Sequence, residues 1–254
     1  MYNDWFTIFG VTVHGYGVMI ALGFLAAFLL SSLRAKGRGL STDIITDLVL
    51  ICLICGFAGG KLLYIIVEFD RFLQDPLQVL GSSGFVVYGG LILALLGAMV
   101  YCKRKKLNFL ACFDVAAPAV ALAQAFGRIG CFFAGCCYGR PTDAWFGITF
   151  PAGSLAPSGV SLIPTQLFSA GGDLLLAVLL LLIDHRRHKD GALGGLYLIG
   201  YGLGRFAIEF LRNDPRGNIA FLSTSQFVSL LFVPAGLYLL LRKTKTEKND
   251  TKSA

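Results

Sequence analysis

The sequence predicts an all-α polytopic membrane protein with seven transmembrane helices, its N-terminus outside the cell and its C-terminus in the cytoplasm. Hydrophobic residues make up 56% of the 254 residues and charged residues only 15%, whereas a soluble domain carries about 25% charged residues. Several apolar runs approach or exceed the roughly 18–20 residues that span a hydrocarbon core. Lysine and arginine residues also concentrate in alternate connecting segments, which indicates a defined orientation in the membrane.

The first three spans are predicted at 13–33, 44–67 and 84–102. Each is an apolar run, and the first and third end directly before the basic residues Arg34 and Lys103. The segment ahead of the first span contains no positively charged residue. We therefore expect the first span to be a transmembrane helix and not a cleavable signal peptide.

The remaining four spans are predicted at 112–134, 165–183, 192–211 and 225–241. An odd number of spans places the two termini on opposite sides of the membrane. We expect one transmembrane domain, residues 1–241, followed by a basic cytoplasmic tail, residues 242–254.

The distribution of basic residues gives the orientation. Of the 22 lysine and arginine residues, 15 lie in the segments that follow the first, third, fifth and seventh spans. The segments on the opposite side hold only four, which are Arg71, Arg140, Arg212 and Arg216. Because basic residues are retained in the cytoplasm, the N-terminus is predicted to face outward. The formal net charge of +7 is therefore a topology signal, and we expect no nucleic-acid partner.

Charged residues inside the predicted spans indicate a functional site. Lys61, Arg128 and Arg205 fall in the outer halves of spans, as does Glu209. A charge at membrane depth costs at least about 2.5–3.5 kcal/mol on insertion scales. The glycine-rich runs before Lys61 and Arg205 contain small-xxx-small patterns, which permit close helix packing. We therefore predict a shared polar cavity that opens toward the outer leaflet and holds an anionic ligand.

Each of these charges also has a structural interpretation. Arg205 and Glu209 are four residues apart, so they share a helix face and could neutralise each other. Arg128 could pair with Asp173 or with Glu209 to hold helices together. Lys61 could extend its ammonium group to the outer interface.

Two other polar residues are predicted to be structural. Asp114 lies near the cytoplasmic start of the fourth span, where an acidic residue favours the start of its own helix. His14 lies near the outer start of the first span, and the sequence identifies no partner for it.

Three of the seven cysteines, Cys131, Cys136 and Cys137, lie at the outer end of the fourth span, close in sequence to Arg128 and Arg140. Nearby cations lower the pKa of a thiol from about 8.5 and raise its reactivity. The sequence leaves structural, redox and catalytic roles open for these thiols. We expect no metal, because a zinc site would need a fourth ligand that the sequence does not identify. The other cysteines are predicted to be small buried hydrophobes; they are Cys52, Cys55, Cys102 and Cys112.

Six short motifs stand in or beside the predicted spans. They are His14–Gly17, Gly59–Tyr64, Val87–Leu91, Gly127–Gly130 followed by Phe132, Gly139 and Arg140, Pro164–Phe168, and Ile199–Gly202 followed by Arg205–Arg212. In these motifs the chain resembles the prolipoprotein diacylglyceryl transferase family, and the resemblance covers nearly the whole chain. The seven-span, N-out and C-in topology of that family agrees with the orientation that the charges predict.

The chain departs from the family's motifs at several positions. Tyr88 stands where the family has a motif histidine, and Ile163 stands where a histidine precedes its Pro-Ser-Gln element. Cys131 replaces the signature asparagine, and Cys136 replaces the signature acidic residue. Lys61 occupies a position where arginine is usual.

The resemblance implies a reaction. Members of the family transfer a diacylglyceryl group from phosphatidylglycerol to the lipobox cysteine of a prolipoprotein, which forms a thioether and releases glycerol phosphate. The resemblance implies that the reaction needs no cofactor. It implies membrane lipids and a prolipoprotein signal peptide as partners. It also implies a multi-pass protein of the bacterial plasma membrane, with the active site toward the outer leaflet. Residues 1–241 would then be the catalytic domain.

The resemblance also assigns roles to individual residues. Arg128 and Arg205 match phosphate-binding arginines that stabilise the leaving group, Glu209 would orient Arg205, and Tyr88 takes the catalytic position of the histidine. The residues expected to contact or admit substrate are Tyr16, Tyr201, Gly139, Lys61, Gly89 and Gly90.

Activation of the acceptor thiol is the open point in this assignment. A tyrosine has a reference pKa of about 10, so Tyr88 is a poor base unless nearby arginines lower its pKa. The positive field of the cavity could activate the thiol instead, or Cys136 or Cys137 could take part. Competing functions are a membrane thiol oxidoreductase that uses Cys131, Cys136 and Cys137, and a lipid-binding or lipid-transferring protein with another acceptor.

Overall fold

The computed structural model describes residues 3–8, 10–82, 84–185, 188–214, 218–219 and 222–242. Helices account for most of these residues. They are α1 (Gly15–Gly37), α2 (Thr42–Val67), α3 (Phe69–Gln74), α4 (Pro76–Gly81), α5 (Val87–Arg104), α6 (Phe109–Ala134), α7 (Thr165–Asp184), α8 (Ala192–Glu209) and α9 (Thr224–Leu241). Each predicted span corresponds to one long helix, and no bound differs by more than four residues. The short helices α3 and α4 fall in the connection between the second and third predicted spans.

Six of the described helices are long and apolar enough to cross a membrane: α1, α2, α5, α6, α7 and α9. The prediction of an all-α multi-pass membrane protein is confirmed, whereas the number of seven spans and the orientation stay predictions. Helix α8 differs because its 18 residues include Arg205 and Glu209. Large apolar side chains remain exposed on the helices, for example Ile54 at 65% and Leu175 at 59%, as expected of surfaces that face lipid and not water.

Three antiparallel two-stranded hairpins, which the sequence did not predict, occupy connections in the described chain. Their strands are β1 (Asp4–Ile8) with β2 (Val11–His14), β3 (Ile148–Thr149) with β4 (Ser161–Leu162), and β5 (Asn218–Ile219) with β6 (Leu222–Ser223). Backbone N–H and C=O groups outside helices need partners, and these short ladders supply them.

The chain divides into two compact units, residues 1–30 with 113–254, and residues 31–112. The single domain at 1–241 stays a prediction. Within the predicted tail, the described part of the chain reaches only Arg242, so the other basic residues of the tail lie outside the described residues. Arg186, Arg187 and Arg216, which entered the charge count, also lie outside them.

In the unit formed by residues 31–112, α2 packs against α5 through glycines. A Cβ atom added to Gly89 would collide with the carbonyl oxygen of Gly59, and one added to Gly90 would lie 2.6 Å from the oxygen of Gly56. The close packing that the small-xxx-small pattern predicts for α2 is therefore present.

In the other unit, α6, α7 and α8 share a buried core of six residues, which are Ala117, Ala121, Ala177, Leu180, Leu193 and Tyr197. Helix α9 packs closely on α8, where a Cβ atom on Gly195 would lie 2.8 Å from the carbonyl oxygen of Gly236. This core holds together the three helices that carry the charged residues of the candidate site.

The sequence predicted that Asp114 lies at the start of its own helix, and this prediction is wrong. Helix α6 begins five residues earlier, and the fully buried Asp114 carboxylate accepts hydrogen bonds from the backbone N–H groups of Gly191 and Gly194, both at 2.8 Å. The first N–H groups of a helix have no partner within it, so Asp114 caps the N-terminus of α8. His14 also has a partner, since its Nδ1 lies 2.6 Å from Oδ1 of Asp4.

Candidate functional site

A cavity of about 140 Å³ lies among α6, α7 and α8. Its walls carry three charged side chains, Arg128 from α6, Asp173 from α7 and Arg205 from α8. Tyr201 also lines it, together with glycine backbone and apolar side chains. A polar cavity that Arg128 and Arg205 share is therefore present in this unit, with more basic than acidic groups in its lining. Lys61 and Glu209, which were predicted to share it, are not among its described lining residues, and its opening toward the outer leaflet stays a prediction.

Arg205 is held by an ion pair and a hydrogen bond. Its guanidinium NH1 lies 2.7 Å from Oε2 of Glu209, and NH2 donates to Oγ of Ser225 at 2.8 Å. The Ser223 hydroxyl donates to Oε1 of Glu209 at 2.6 Å. The pairing suggested by the four-residue spacing is therefore present, and it fixes Arg205 while the side chain still lines the cavity.

Arg128 lacks such a close pair. Among the described residues, no carboxylate lies within 4.0 Å of its guanidinium nitrogens. Asp173, in the same cavity lining, interacts with it electrostatically at longer range. Direct pairing with Asp173 or Glu209 is therefore not observed, and the Arg128 guanidinium remains available to an anion. Arginine binds phosphate oxygens through parallel hydrogen bonds, so this cavity suits a phosphate group.

Two tyrosines border the arginines. The ring of Tyr201 stacks on Tyr197 with centroids 5.8 Å apart and an interplanar angle of 14°. Tyr16 contacts the backbone of α6 at Gly130, and its hydroxyl interacts electrostatically with Arg128. Both predicted substrate-contacting tyrosines therefore lie in the same unit as Arg128, and their contact with substrate remains a prediction.

The end of α6 brings two cysteines together. The N–H of Gly135 donates to the oxygen of Phe132 at 3.2 Å, and the N–H of Cys136 donates to the oxygen of Cys131 at 3.1 Å. This is the Schellman pattern, in which a left-handed residue reverses the chain, and Gly135 has the required φ of +70°. The motif folds Cys136 back over Cys131 on the last turn of the helix.

Cys137 completes a cluster of three thiols. The Sγ atoms of Cys131, Cys136 and Cys137 all lie within 4.8 Å of one another. Cys137 has a φ of +62°, which is strained for a residue with a side chain. Two buried side chains of α7 hold the loop: the Thr165 hydroxyl donates to the oxygen of Cys137 at 2.6 Å, and Nε2 of Gln166 donates to the oxygen of Cys136 at 2.7 Å.

The thiols beyond the end of α6 differ in acidity. Hydrogen bonds with the Cys131 and Cys136 thiols lower the pKa of Cys137, and the charges of Arg212 and Arg128 act in the same direction. Hydrogen bonds with the Cys131 and Cys137 thiols raise the pKa of Cys136. The lowered pKa is therefore found at Cys137 and not at Cys136, and its main cause is hydrogen bonding to the other thiols, with a smaller contribution from the nearby cations.

Gly139 lies at a crossing of three chain segments. Its N–H donates to the oxygen of Ile163 at 3.0 Å, and an added Cβ atom would lie 2.9 Å from the oxygen of Leu211. The next residue, Arg140, donates its N–H to Leu211 at 2.9 Å. The close approach expected at Gly139 is thus made by the protein's own backbone, which places Arg212 beside the thiol cluster.

The other predicted site residues belong to the unit of residues 31–112. Tyr88, Gly89 and Gly90 lie in the first turn of α5, where the two glycines are buried against α2. The Lys61 ammonium donates to the carbonyl oxygens of Ser82 at 2.7 Å and Gly84 at 3.4 Å. Lys61 thus stabilises the connection before α5, and its binding to substrate stays a prediction.

The sequence did not identify several residues of the site. Asp173 was considered only as a partner for Arg128, and Arg212 only as an outer-loop charge, although Arg212 ends the last family motif. Arg212 is bound by Asp214, with Nε–Oδ1 at 3.1 Å and NH2–Oδ2 at 2.9 Å. Ser223 and Ser225 could not be identified from the sequence, because nothing in their spacing from α8 predicts their contacts with Glu209 and Arg205.

Known proteins are similar to this chain over most of its length. The family model for prolipoprotein diacylglyceryl transferase matches residues 4–242. A phosphatidylglycerol–prolipoprotein diacylglyceryl transferase from Clostridium tetani (strain Massachusetts / E88) is 48% identical over 236 residues, 92% of this chain and 94% of that protein. Phosphatidylglycerol–prolipoprotein diacylglyceryl transferase 2 from Clostridium perfringens (strain 13 / Type A) is 44% identical over 244 residues, 95% of this chain and 95% of that protein. A transferase from Finegoldia magna is 34% identical over 97% of this chain and 98% of its own.

Proposed function

The chain belongs to the prolipoprotein diacylglyceryl transferase family, and from this premise we propose how it acts. It is a glyceryl-group transferase of a bacterial membrane that moves a diacylglyceryl group from phosphatidylglycerol to a prolipoprotein, as its relatives are named for doing. The competing functions, a thiol oxidoreductase and a lipid-binding protein with another acceptor, are not favoured by these relatives.

The observation that carries the site assignment is the cavity lined by Arg128 and Arg205. We place the phosphate of phosphatidylglycerol there, with Arg128 as the direct bidentate partner, because no described carboxylate occupies its guanidinium. Arg205 is oriented by Glu209 and Ser225 and supplies the second positive charge. As the phosphate ester breaks, negative charge grows on the departing glycerol phosphate, and preorganised cations stabilise it.

The acceptor is the thiol of a lipobox cysteine. The thiol gives its proton to water, and its sulfur attacks the carbon of the diacylglyceryl group that carries the phosphate ester. A carbon–sulfur bond forms, the carbon–oxygen bond to phosphate breaks, and the electron pair leaves with glycerol phosphate. Tyr16 and Tyr201 would bind the glycerol and phosphate oxygens, and Tyr88, Lys61, Gly89, Gly90 and Gly139 remain proposed site residues on the strength of the family motifs.

We also propose seven spans, with α8 as the additional one, the N-terminus outside and the C-terminus in the cytoplasm. Basic residues at the ends of α1 and α5 support this orientation. Arg128 and Arg205 stand near the C-terminal ends of α6 and α8, and both ends would then face the outer leaflet. An alkaline phosphatase, active only outside the cytoplasm, should be active when fused after Asp75 and inactive when fused after Arg242. The reverse pattern would overturn the orientation.

Purified protein in phosphatidylglycerol vesicles, incubated with a lipobox peptide, tests the reaction. We expect a peptide mass increased by one diacylglyceryl group and release of glycerol phosphate. A matched peptide with serine in place of the cysteine, and vesicles of phosphatidylcholine, serve as controls. Absence of a thioether product with phosphatidylglycerol, from protein that is folded and inserted in the vesicles, would refute the proposed function.

A further inference from the structure

The cluster of three thiols has a use that the phosphate site does not explain. We propose that Cys131, Cys136 and Cys137 together bind one zinc ion and leave its fourth coordination position open for the acceptor thiol. This inference rests on the proposed function, because it concerns how the acceptor of that reaction is activated. The sequence alone identified no fourth ligand, and here the substrate supplies it.

The spacing of the sulfur atoms suits a single ion. Zinc is bound tetrahedrally with Zn–S distances of about 2.3 Å, which places the sulfurs of one site roughly 3.8 Å apart. The three Sγ atoms already lie within 4.8 Å of one another. A change of about 1 Å, within reach of side-chain rotation, would close them around one ion.

The backbone that carries the thiols is held in place. The Schellman turn at Gly135 fixes Cys136 over Cys131, and buried Thr165 and Gln166 bind the carbonyls of Cys137 and Cys136. A left-handed residue such as Cys137 persists only where surrounding contacts stabilise it. Hydrogen bonds behind the ligands that set their orientation are typical of metal sites.

The surrounding charge compensates the complex. Zinc with three thiolates carries a net charge of −1, and a fourth thiolate makes it −2. Arg128 interacts electrostatically with Cys131, and both Arg212 and Arg128 interact with Cys137. The positive charges of Arg128 and of Arg212, which is also paired with Asp214, therefore offset part of the negative charge of the complex.

Three protein ligands with an open fourth position are the pattern of catalytic zinc sites, whereas structural sites are closed by four. Sulfur ligands favour thiophilic ions, chiefly zinc and copper(I). Zinc fits this reaction better because it undergoes no redox change and accepts a fourth ligand. A site that binds only copper(I), or a disulfide within the cluster, is an alternative that the experiment must exclude.

Zinc would activate the acceptor thiol, a task for which Tyr88, in place of the family's motif histidine, is a poor base. A thiol that coordinates zinc loses its proton to the solvent and stays a thiolate. That sulfur then attacks the diacylglyceryl carbon while glycerol phosphate leaves toward Arg128, one helical turn before Cys131 on α6. The product is an uncharged thioether, a weaker ligand than the thiolate, and it can leave the ion, which remains zinc(II) throughout.

Metal analysis of the full-length protein tests the site. We expect about one zinc per chain after purification under reducing conditions, and loss of this zinc in Cys136→Ser and in Cys137→Ser. Cys102→Ser, a buried cysteine of the other unit, should retain it. Thr165→Val keeps all three thiols but removes the bond to Cys137, and it should weaken zinc affinity about 10–100-fold. Zinc content equal in all variants, copper alone, or a disulfide would overturn the proposal.

Cobalt(II) in place of zinc tests the open position. The spectrum of a tetrahedral cobalt–thiolate complex should change when the lipobox peptide is added and should not change with the serine peptide. An unchanged spectrum would overturn the role in acceptor binding. If the metal binds and responds but no thioether forms, the site stands and the proposed reaction fails. If zinc-free protein transfers at the full rate, the reaction stands and the site fails.

Discussion

Replacing Arg205 by alanine should destabilise the protein because the buried carboxylate of Glu209 loses its nearest cation. The side chain of Glu209 is only 3% exposed, and Arg205 lies 2.7 Å from it. Removing one partner of a buried ion pair costs about 3–5 kcal/mol when the remaining charge is uncompensated, and this is an upper limit here because NH1 of Arg212 remains 3.8 Å from Oε2 of Glu209. For a chain of this size each kcal/mol corresponds to about 2–4 °C in Tm, so we expect a decrease of several degrees and at most about 20 °C.

Thermal unfolding of the purified protein in one detergent measures this effect. The double variant Arg205→Ala with Glu209→Gln no longer buries the carboxylate charge that has lost its nearest cation, and it should recover at least half of the lost Tm. Arg128→Ala provides the contrast, because no described carboxylate lies within 4.0 Å of Arg128, and its Tm should fall much less. If Arg205→Ala melted within 2 °C of the wild type, or if the double variant melted no higher than the single, the ion-pair argument would be wrong.

Three further changes test other parts of the fold. Asp114→Ala removes both hydrogen bonds at the start of α8 and should cost at least about 3 kcal/mol, since each bond to a charged group contributes about 1.5–3 kcal/mol; hydrogen exchange should speed up in the first turn of α8. Gly89→Ala places a methyl group against the backbone of Gly59 and should lower stability by about 1–3 kcal/mol, whereas Gly17→Ala, with open space around it, should be tolerated. Gly135→Ala forces a residue with a side chain into a left-handed conformation at a cost of about 1–2 kcal/mol, and it should lower the yield of a chemical cross-link between the Cys131 and Cys136 thiols.

The helices were predictable because long apolar runs with few charges allow little else in a membrane. The largest difference in any bound, four residues, occurs at the end of α1, where the helix continues past Arg34 to Gly37. Apolar content alone identified the first span but could not show that its basic end remains helical. The pairing of Arg205 with Glu209 was also predictable, since four residues make one turn of a helix.

Contacts between distant parts of the chain were not predictable. Asp114 lies 77 residues from Gly191, and no local pattern indicates that an acidic residue of one helix caps another. Lys61 is a similar case, because its partners Ser82 and Gly84 belong to a connection whose fold the sequence leaves open. The clustering of the thiols could be predicted in part, since a glycine after a helix end favours the turn that brings Cys136 over Cys131.

The transferase rate of Arg128 variants tests the central claim, that Arg128 binds the phosphate of phosphatidylglycerol, most directly. Two charge-assisted hydrogen bonds of about 1.5–3 kcal/mol each predict that Arg128→Ala lowers kcat/KM roughly 10²–10⁴-fold. Arg128→Lys keeps the charge but loses the bidentate geometry, and it should fall between alanine and the wild type. The exposed Arg71→Ala, whose partner is Glu68, should keep the wild-type rate. A folded Arg128→Ala protein with wild-type kcat/KM would contradict the phosphate site.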